Sequence, residues 1–267
     1  MKQAAKKALT RAVPWLLPTI REFRCVVHAG YMKIAGGADA KFDCPICGYY
    51  GPFASLGSGA RIIRHTLCPR CDLYERHRLQ WLALMRLRDS LDYSAMSLLH
   101  FAPEPQFKVR LSRLFRTYHT ADIADQEVNF VADIRSLPFA DASYDMIFAS
   151  HVLEHVREDD VALGEISRIL KPGGVAILPV PVVSPNTVEY PEANLREFGH
   201  VRAVGRDYFD KYRLHFSSVR TFDSGDFPER YQLYTYEDRS IYPDTDSPLR
   251  GPMPGQRHPD YVPVCYR

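Results

Sequence analysis

SYDMIFASHVLEHV (residues 143–156) and EISRILKPGG (residues 165–174) decide how this chain is read. The first opens on an apolar run, Tyr144–Ala149, of the length of one buried strand, and breaks at Ser150 and His151. The second closes a helical stretch, Val161–Leu170, at Lys171-Pro172-Gly173-Gly174. Proline and glycine just past a helix are stop signals. A new apolar run follows at Val175–Val180. Strand, helix, strand is the repeating unit of a parallel sheet wrapped by helices.

The same alternation extends outward. Strands are predicted at Met96–Phe101, at Tyr118–Ala121 closed by Asp122, and at Phe130–Ala132 closed by Asp133. Two more are predicted at Ser218–Phe222 and Tyr261–Tyr266, and residues 76–90 read as a helix. The predicted class is therefore α/β: a Rossmann-like, seven-stranded, doubly wound sheet. Ligands in such sheets sit at the carboxyl ends of the strands.

Ahead of the sheet, Cys44-Pro-Ile-Cys47 and Cys68-Pro-Arg-Cys71 form two CxxC pairs. Two residues between cysteines let both sulfurs converge on one ion, and four thiolates suit tetrahedral Zn2+. Gly48 and Asp72 follow the pairs, where a tight turn is needed. A small N-terminal zinc-ribbon module with a closed, structural Zn2+ site is expected. Iron would suit the same thiolates. Cys25 and Cys265 stand apart and read as core thiols. Metal-type cysteine spacing points to a reducing compartment, hence a cytoplasmic location.

The expected organisation is a basic N-terminal arm (1–40), the zinc ribbon (41–75) and the main domain (76–267). Within that domain lie a core (96–182), an insert (184–213) and a proline-rich loop (235–259), read as a lid or a disordered excursion. Apolar residues are 46% and charged residues 25%, an ordinary globular composition. The net charge of +2 disfavours a general nucleic-acid binder. The first 24 residues nevertheless carry six basic residues against Glu22 alone. Such an arm suits either peripheral membrane contact or a solvated helix that packs Trp15 and Leu16 on the domain. No apolar run reaches the ~20 residues that cross a bilayer.

Residues 143–156 and 165–174, together with Ala132-Asp133-Ile134, Leu137-Pro138-Phe139 and Asp122, resemble the class I S-adenosylmethionine-dependent methyltransferases. The resemblance is close over 96–182 and loose to the C-terminus. It implies S-adenosyl-L-methionine as cofactor. Asp122 would accept from the ribose hydroxyls, with Ile123 beside it. Asp133 would accept from the adenine amino group while the Ile134 backbone donates to the ring. Ser150 and His151 would line the methionine end.

The turn after the first strand departs from the family. His100 stands where the family has an acid, and Ala102, Glu104 and Gln106 stand where it has glycines. Glu104 would replace the missing acid by pairing with the cofactor's ammonium group. The HFAPE stretch (100–104) and the ERHR stretch (75–78) are similar to a subset of methyltransferase-like proteins that carry an N-terminal zinc ribbon.

His151-Val-Leu-Glu154-His155 also matches the HxxEH pattern of inverted zinc proteases, with Glu189 or Glu192 as third ligand. The methyltransferase pattern has the same letters at this place, so that reading is set aside, and His155 becomes a helix histidine that packs or contacts substrate.

The acceptor side of this fold is built by segments after the fourth and fifth strands. His200 is the expected base, with His151 and His155 beside it, because imidazole titrates in the useful range. Arg202 and Tyr190 are expected to bind the acceptor, a small molecule, glycan or lipid-linked intermediate. Two other readings stay open here. One is an RNA or protein methyltransferase that uses the basic ribbon for recognition. The other is a non-catalytic scaffold with an eroded glycine turn.

Overall fold

The computed structural model describes residues 22–23, 25–28, 30 and 40–267. Most of the basic arm, including Trp15 and Leu16, lies outside the described residues. Two short antiparallel hairpins come first: β1 (Phe42–Asp43) with β2 (Tyr50–Gly51), and β3 (Ala54–Leu56) with β4 (Ile63–Leu67). Helix α1 (Glu75–Leu87) follows and buries Leu79, Ala83, Leu84 and Leu87, the spacing of one helix face.

The sheet then begins. β5 (Ser97–Phe101) is buried at all five positions, as a strand covered on both faces must be. After it come α2 (Pro105–Leu111), β6 (Thr117–Asp122), β7 (Phe130–Val131), β8 (Tyr144–Ala149), α3 (Asp159–Ile169) and β9 (Leu170–Ile177). A hairpin of β10 (Val188–Asn194) and β11 (His200–Ala203), helix α4 (Phe209–His215), β12 (Ser218–Asp223) and β13 (Tyr261–Tyr266) complete the chain.

The spatial order is β12-β13-β9-β8-β5-β6-β7. β7, β6, β5, β8 and β9 run parallel, while β13 is antiparallel to both β9 and β12. The chain walks outward from β5 to β7 and then returns to place β8 on the other side of β5. The order reverses between β5 and β8, and the carboxyl ends there form a crevice. The seven strands fall where they are expected, with one difference at β9. The Lys-Pro-Gly-Gly segment lies inside that strand. Three extra residues bulge between the pairings Tyr144↔Leu170 and Met146↔Val175. Gly173 sits at φ +73°, and a side chain on Gly174 would strike the Lys171 carbonyl, so the glycines shape a bulge.

Two apolar layers cover the sheet. On one face α3 contributes Ala162, Leu163, Ile166 and Ile169, and α4 contributes Phe209 and Tyr212. On the other face α1 and the cysteine-bearing hairpins share one cluster with Leu98, Phe148, Ile177 and Val264. Cys44, Tyr49, Phe53 and Leu73 are therefore part of the core that holds the sheet. Arg78 secures this union. Fully buried, it donates to Thr66 O, Leu73 O, Tyr231 O and Gln232 O at 2.7–3.3 Å. Residues 235–259 pack back onto the hairpins through the bridge Arg64↔Tyr236 and an ion pair of Arg61 with Asp244, while the bridge Thr235↔His258 closes the loop on itself. No helix among the described residues is long and apolar enough to cross a membrane.

Candidate active site

Residues at the carboxyl ends of β5, β6, β7 and β8 enclose a cleft of about 560 Å³. Ala102, Asp122, Ile123, Asp133, Ile134, His151 and His155 line it. Asp122 Oδ1 accepts from Ala124 N and Asp125 N, both at 2.8 Å, which aims the carboxylate and leaves its second oxygen for a ligand. Asp133 is held by Arg135, whose guanidinium reaches it at 2.7 Å. That hydrogen bond keeps the Asp133 carboxyl below the usual carboxylate range. Ala102 and His151 both have left-handed backbone, at φ +43° and +55°. Such strain in residues other than glycine gathers where a site demands a particular backbone path. In His151 it is fixed by the bond from its N–H to Pro179 O, at 2.9 Å.

Three residues expected in the cleft do not line it. His100 is fully buried, with Nδ1 2.8 Å from Tyr118 Oη and its ring against Phe148. Ser150 is buried and accepts from Gln80 Nε2 at 2.9 Å. Glu104 turns towards the body of the domain. Its Oε1 is 3.2 Å from His77 Nε2 and its Oε2 3.7 Å from His100 Nε2. Burial alone would push its carboxyl up, but the two imidazoles outweigh this and hold it well below the usual range. Glu104 is thus committed to histidines and is not placed to pair with a ligand's ammonium group.

A second chamber, about 590 Å³, adjoins the cleft and shares His151 and His155 with it. Its walls come from far apart in sequence: Thr66 of β4, Glu75 and Arg76 of α1, Glu154, His200 of β11, Arg250 and Asp260. The 235–259 loop supplies Thr235, Glu237, Arg239 and Arg250, so it is a wall of the chamber rather than a disordered excursion. Burial pushes the His200 imidazole down to about 4 and raises the Asp260 carboxyl.

Two acceptor-binding expectations are corrected here. Arg202 is buried (1% exposed), so it cannot meet an acceptor. Its guanidinium donates to Glu189 Oε1 at 2.7 Å, Leu153 O at 2.6 Å and Val156 O at 2.8 Å. It fastens the β10–β11 hairpin to the turn that carries His155. Tyr190 is also buried and donates to Glu197 Oε2 at 2.7 Å. A third correction concerns His151–His155, which is no helix. Only Leu153–His155 form a single 3-10 turn, because the left-handed His151 has already broken the helical path. The two histidines meet the site from a turn, not from one helix face.

Sequence reading left out Glu154, Glu75, Arg76, Arg250 and Asp260 as chamber residues. Arg76 lies in the ERHR stretch, which is a local signal. Asp260 has none, since its place depends on β13 closing the sheet.

The four cysteines converge, and all four are free thiols. Cys44 Sγ is 3.7 Å from Cys71 Sγ, and Cys47 Sγ is 3.6 Å from Cys68 Sγ. Four bonds of ~2.3 Å in a tetrahedron separate their sulfurs by about 3.8 Å. The two turns repeat one another. Gly48 N donates to Cys44 O and Asp72 N to Cys68 O, at 2.9 and 3.0 Å. Gly48 and Asp72 share left-handed φ of +71° and +60°. Thiol chemistry, spacing and matched turns all fit a four-coordinate ion.

Comparison with known proteins bears on this architecture. The family model described as "Methyltransferase domain" matches residues 95–178. The 27-O-demethylrifamycin SV methyltransferase of Amycolatopsis mediterranei is 32% identical over 99 residues, 36% of this chain and 36% of that protein. The demethylmenaquinone methyltransferase of Renibacterium salmoninarum is 39% identical over 74 residues, 26% of this chain and 31% of that protein. The chain thus spans about a third of the length of these two relatives. Among solved structures, phosphoethanolamine N-methyltransferase 2 of Haemonchus contortus, in complex with S-adenosyl-L-methionine, aligns with 54% of this chain and 38% of that one. Its sequence identity is 17% and its TM-score 0.43.

Proposed function

Residues 95–178 are a methyltransferase domain, and on that premise we propose that the chain transfers a methyl group from S-adenosyl-L-methionine to a small, polar acceptor. The observation that carries this reading is the pair of chambers joined at His151 and His155. One chamber lies at the switch point of the sheet, where a nucleotide cofactor belongs. The other is beside it and is lined by groups that recognise hydroxyls and anions.

Asp122 and Ile123 would hold the ribose, Asp133 and Ile134 the adenine, and Ala102 and His151 the amino-acid end. The bound cofactor would supply an electrophilic methyl on a sulfonium sulfur. The chain's part is to hold an acceptor in line with that methyl and to take the proton the acceptor loses. His151, His155 and His200 all line the second chamber, and we assign that proton to one of them, His151 being the one at the junction with the cofactor cleft. Arg76 and Arg250 face the same space, which suits a hydroxylated or anionic acceptor: a small molecule, a glycan or the polar head of a lipid-linked intermediate. The two relatives bear the names of small-molecule acceptors, which agrees with this class.

We further assign Cys44, Cys47, Cys68 and Cys71 a structural Zn2+, and on these free thiols a reducing, cytoplasmic setting. Peripheral membrane contact through the N-terminal arm belongs to the same proposal.

Titration calorimetry of S-adenosyl-L-methionine into metal-replete protein tests the reading. Micromolar binding is expected, weakened about tenfold to a hundredfold in Asp122→Ala through loss of charge-assisted hydrogen bonds. Labelled-methyl transfer to a panel of hydroxylated acceptors would then identify the substrate. Absence of binding up to millimolar cofactor would sink the proposal.

A further inference from the structure

Glu154 is fully buried, and neither of its carboxylate oxygens receives an aligned hydrogen bond. The His151 ring stands beside it, with Nδ1 3.2 Å from Oε1. An isolated buried carboxylate is costly, and native structures keep one when it is paired or binds a metal ion. Glu154 opens on the acceptor chamber, where His155 and His200 converge on it. One nitrogen from each ring and one Glu154 oxygen all lie within 4.8 Å of one another. The two rings meet edge to face, with centroids 4.8 Å apart.

We propose that Glu154, His155 and His200 bind a divalent transition-metal ion inside the acceptor chamber. Two imidazoles and one carboxylate are a donor set for Zn2+, Fe2+ or Mn2+, and differ in kind from the thiolates of the ribbon. Metal–ligand bonds of ~2.0–2.2 Å draw the three donor atoms closer than they now stand. The exposed His155 ring supplies the movement, since Glu154 and the turn that carries it are fixed. Arg202 ties Leu153 O and Val156 O, on either side of Glu154 and His155, to the hairpin that carries His200. The ligands are thus set on two elements that one guanidinium locks together.

Three protein ligands leave coordination positions open, and these face the chamber. An oxygen donor of the acceptor, a hydroxyl or carboxylate, would occupy one, with His151 left at the junction with the cofactor cleft. This use of the ion rests on the methyltransferase reading, whereas the binding site rests on the geometry alone.

The test counts metal. Full-length protein, Glu154→Gln and His200→Ala are each equilibrated by dialysis against a buffer of fixed free Zn2+, and total zinc bound per chain is counted by elemental analysis. The wild type is expected to take up two equivalents and each variant one. Thermal unfolding and S-adenosyl-L-methionine calorimetry are run on the same samples, so that a folding defect or a failed cofactor site shows separately. His200 is only half-buried, so His200→Ala keeps the test sound where Glu154→Gln does not fold. A wild type that saturates at one equivalent, or a folded His200→Ala that still takes two, overturns the proposal. Cofactor binding that fails while two equivalents remain overturns the methyltransferase reading and leaves the metal site standing.

Discussion

His77 Nε2 lies 3.2 Å from Glu104 Oε1, and this contact joins the ERHR stretch after the cysteines to the HFAPE turn after β5. The Tyr74 N–H donates to His77 Nδ1 at 3.0 Å, so the ring proton sits on Nε2 and points at the carboxylate. Burial lowers the His77 pKa, which keeps the ring neutral. Two segments that are odd when read separately are thus one device. The turn after β5, which lacks the glycines of the methyltransferases the chain resembles, is braced from the side by α1.

Glu104→Gln keeps the shape and removes the charge. It is expected to cost about 1–2 kcal/mol at neutral pH, the worth of a charge-assisted hydrogen bond. The folded-state pKa is depressed, so the carboxylate's contribution is complete above the unfolded value of about 4.3 and disappears as pH falls through the folded value. Urea unfolding of parent and variant across pH should show a constant gap above about pH 5 that closes in acid. A gap that widens in acid would mean that Glu104 is protonated in the native state.

Much of the fold was legible because central parallel strands read as predominantly apolar runs, as SLLHF and YDMIFA do at β5 and β8. The cysteine turns were legible because their geometry is local. The carboxyl ends of β6 and β7 pointed to Asp122 and Asp133 for the same reason. Side chains whose partners lie far along the chain were not legible. Arg202 reads as an exposed anion binder until Leu153 O, 49 residues away, accepts from it. Ser150 reads as a cleft residue until Gln80, 70 residues away, reaches it. The second chamber was hidden as a whole, since β4, α1, β11 and the 235–259 loop meet only in the folded protein.

Ala102 holds φ +43° while its N–H donates to Ala121 O at 2.9 Å. The backbone of a glycine turn therefore survives without the glycine. Ala102→Gly should relieve left-handed strain and lose part of that gain to the freer unfolded chain. The expected outcome lies between no change and about 1 kcal/mol of added stability, with cofactor affinity retained. Chemical denaturation measures the first and calorimetry the second. A loss above ~1 kcal/mol would contradict a left-handed Ala102.

Arg78 gives all its hydrogen bonds to carbonyls and stacks over Phe53, with Cζ 4.3 Å from the ring centroid. Burial pushes its pKa down, yet the guanidinium reaches four carbonyls on three segments. Arg78→Met preserves bulk and takes these bonds from the carbonyls, leaving Leu73 O only the Cys68 N–H, so a loss of ~3 kcal/mol or more is expected. Arg78→Lys should rescue little, because a point charge cannot fork. Limited proteolysis should then cut first near Tyr231 and Gln232, which Arg78 no longer holds. Equal stability of parent and Lys variant would refute the role.

The cysteine hairpins and the sheet share one apolar cluster, in which Cys44, Cys68 and Cys71 pack with Leu79, Leu98 and Phe148. A metal that only closed an independent ribbon would, on removal, melt a small unit and leave the sheet intact. Here the sulfurs are part of the layer that covers the sheet, so their loss is felt by the whole domain. Treatment with a strong chelator should lower a single cooperative transition by several kcal/mol of stability, in keeping with structural zinc. Calorimetric scans with and without chelator distinguish the cases. Two separate transitions in the stripped protein, with the larger unmoved, would show that the ribbon folds apart from the sheet. A single transition that does not move would show that the four thiols need no ion.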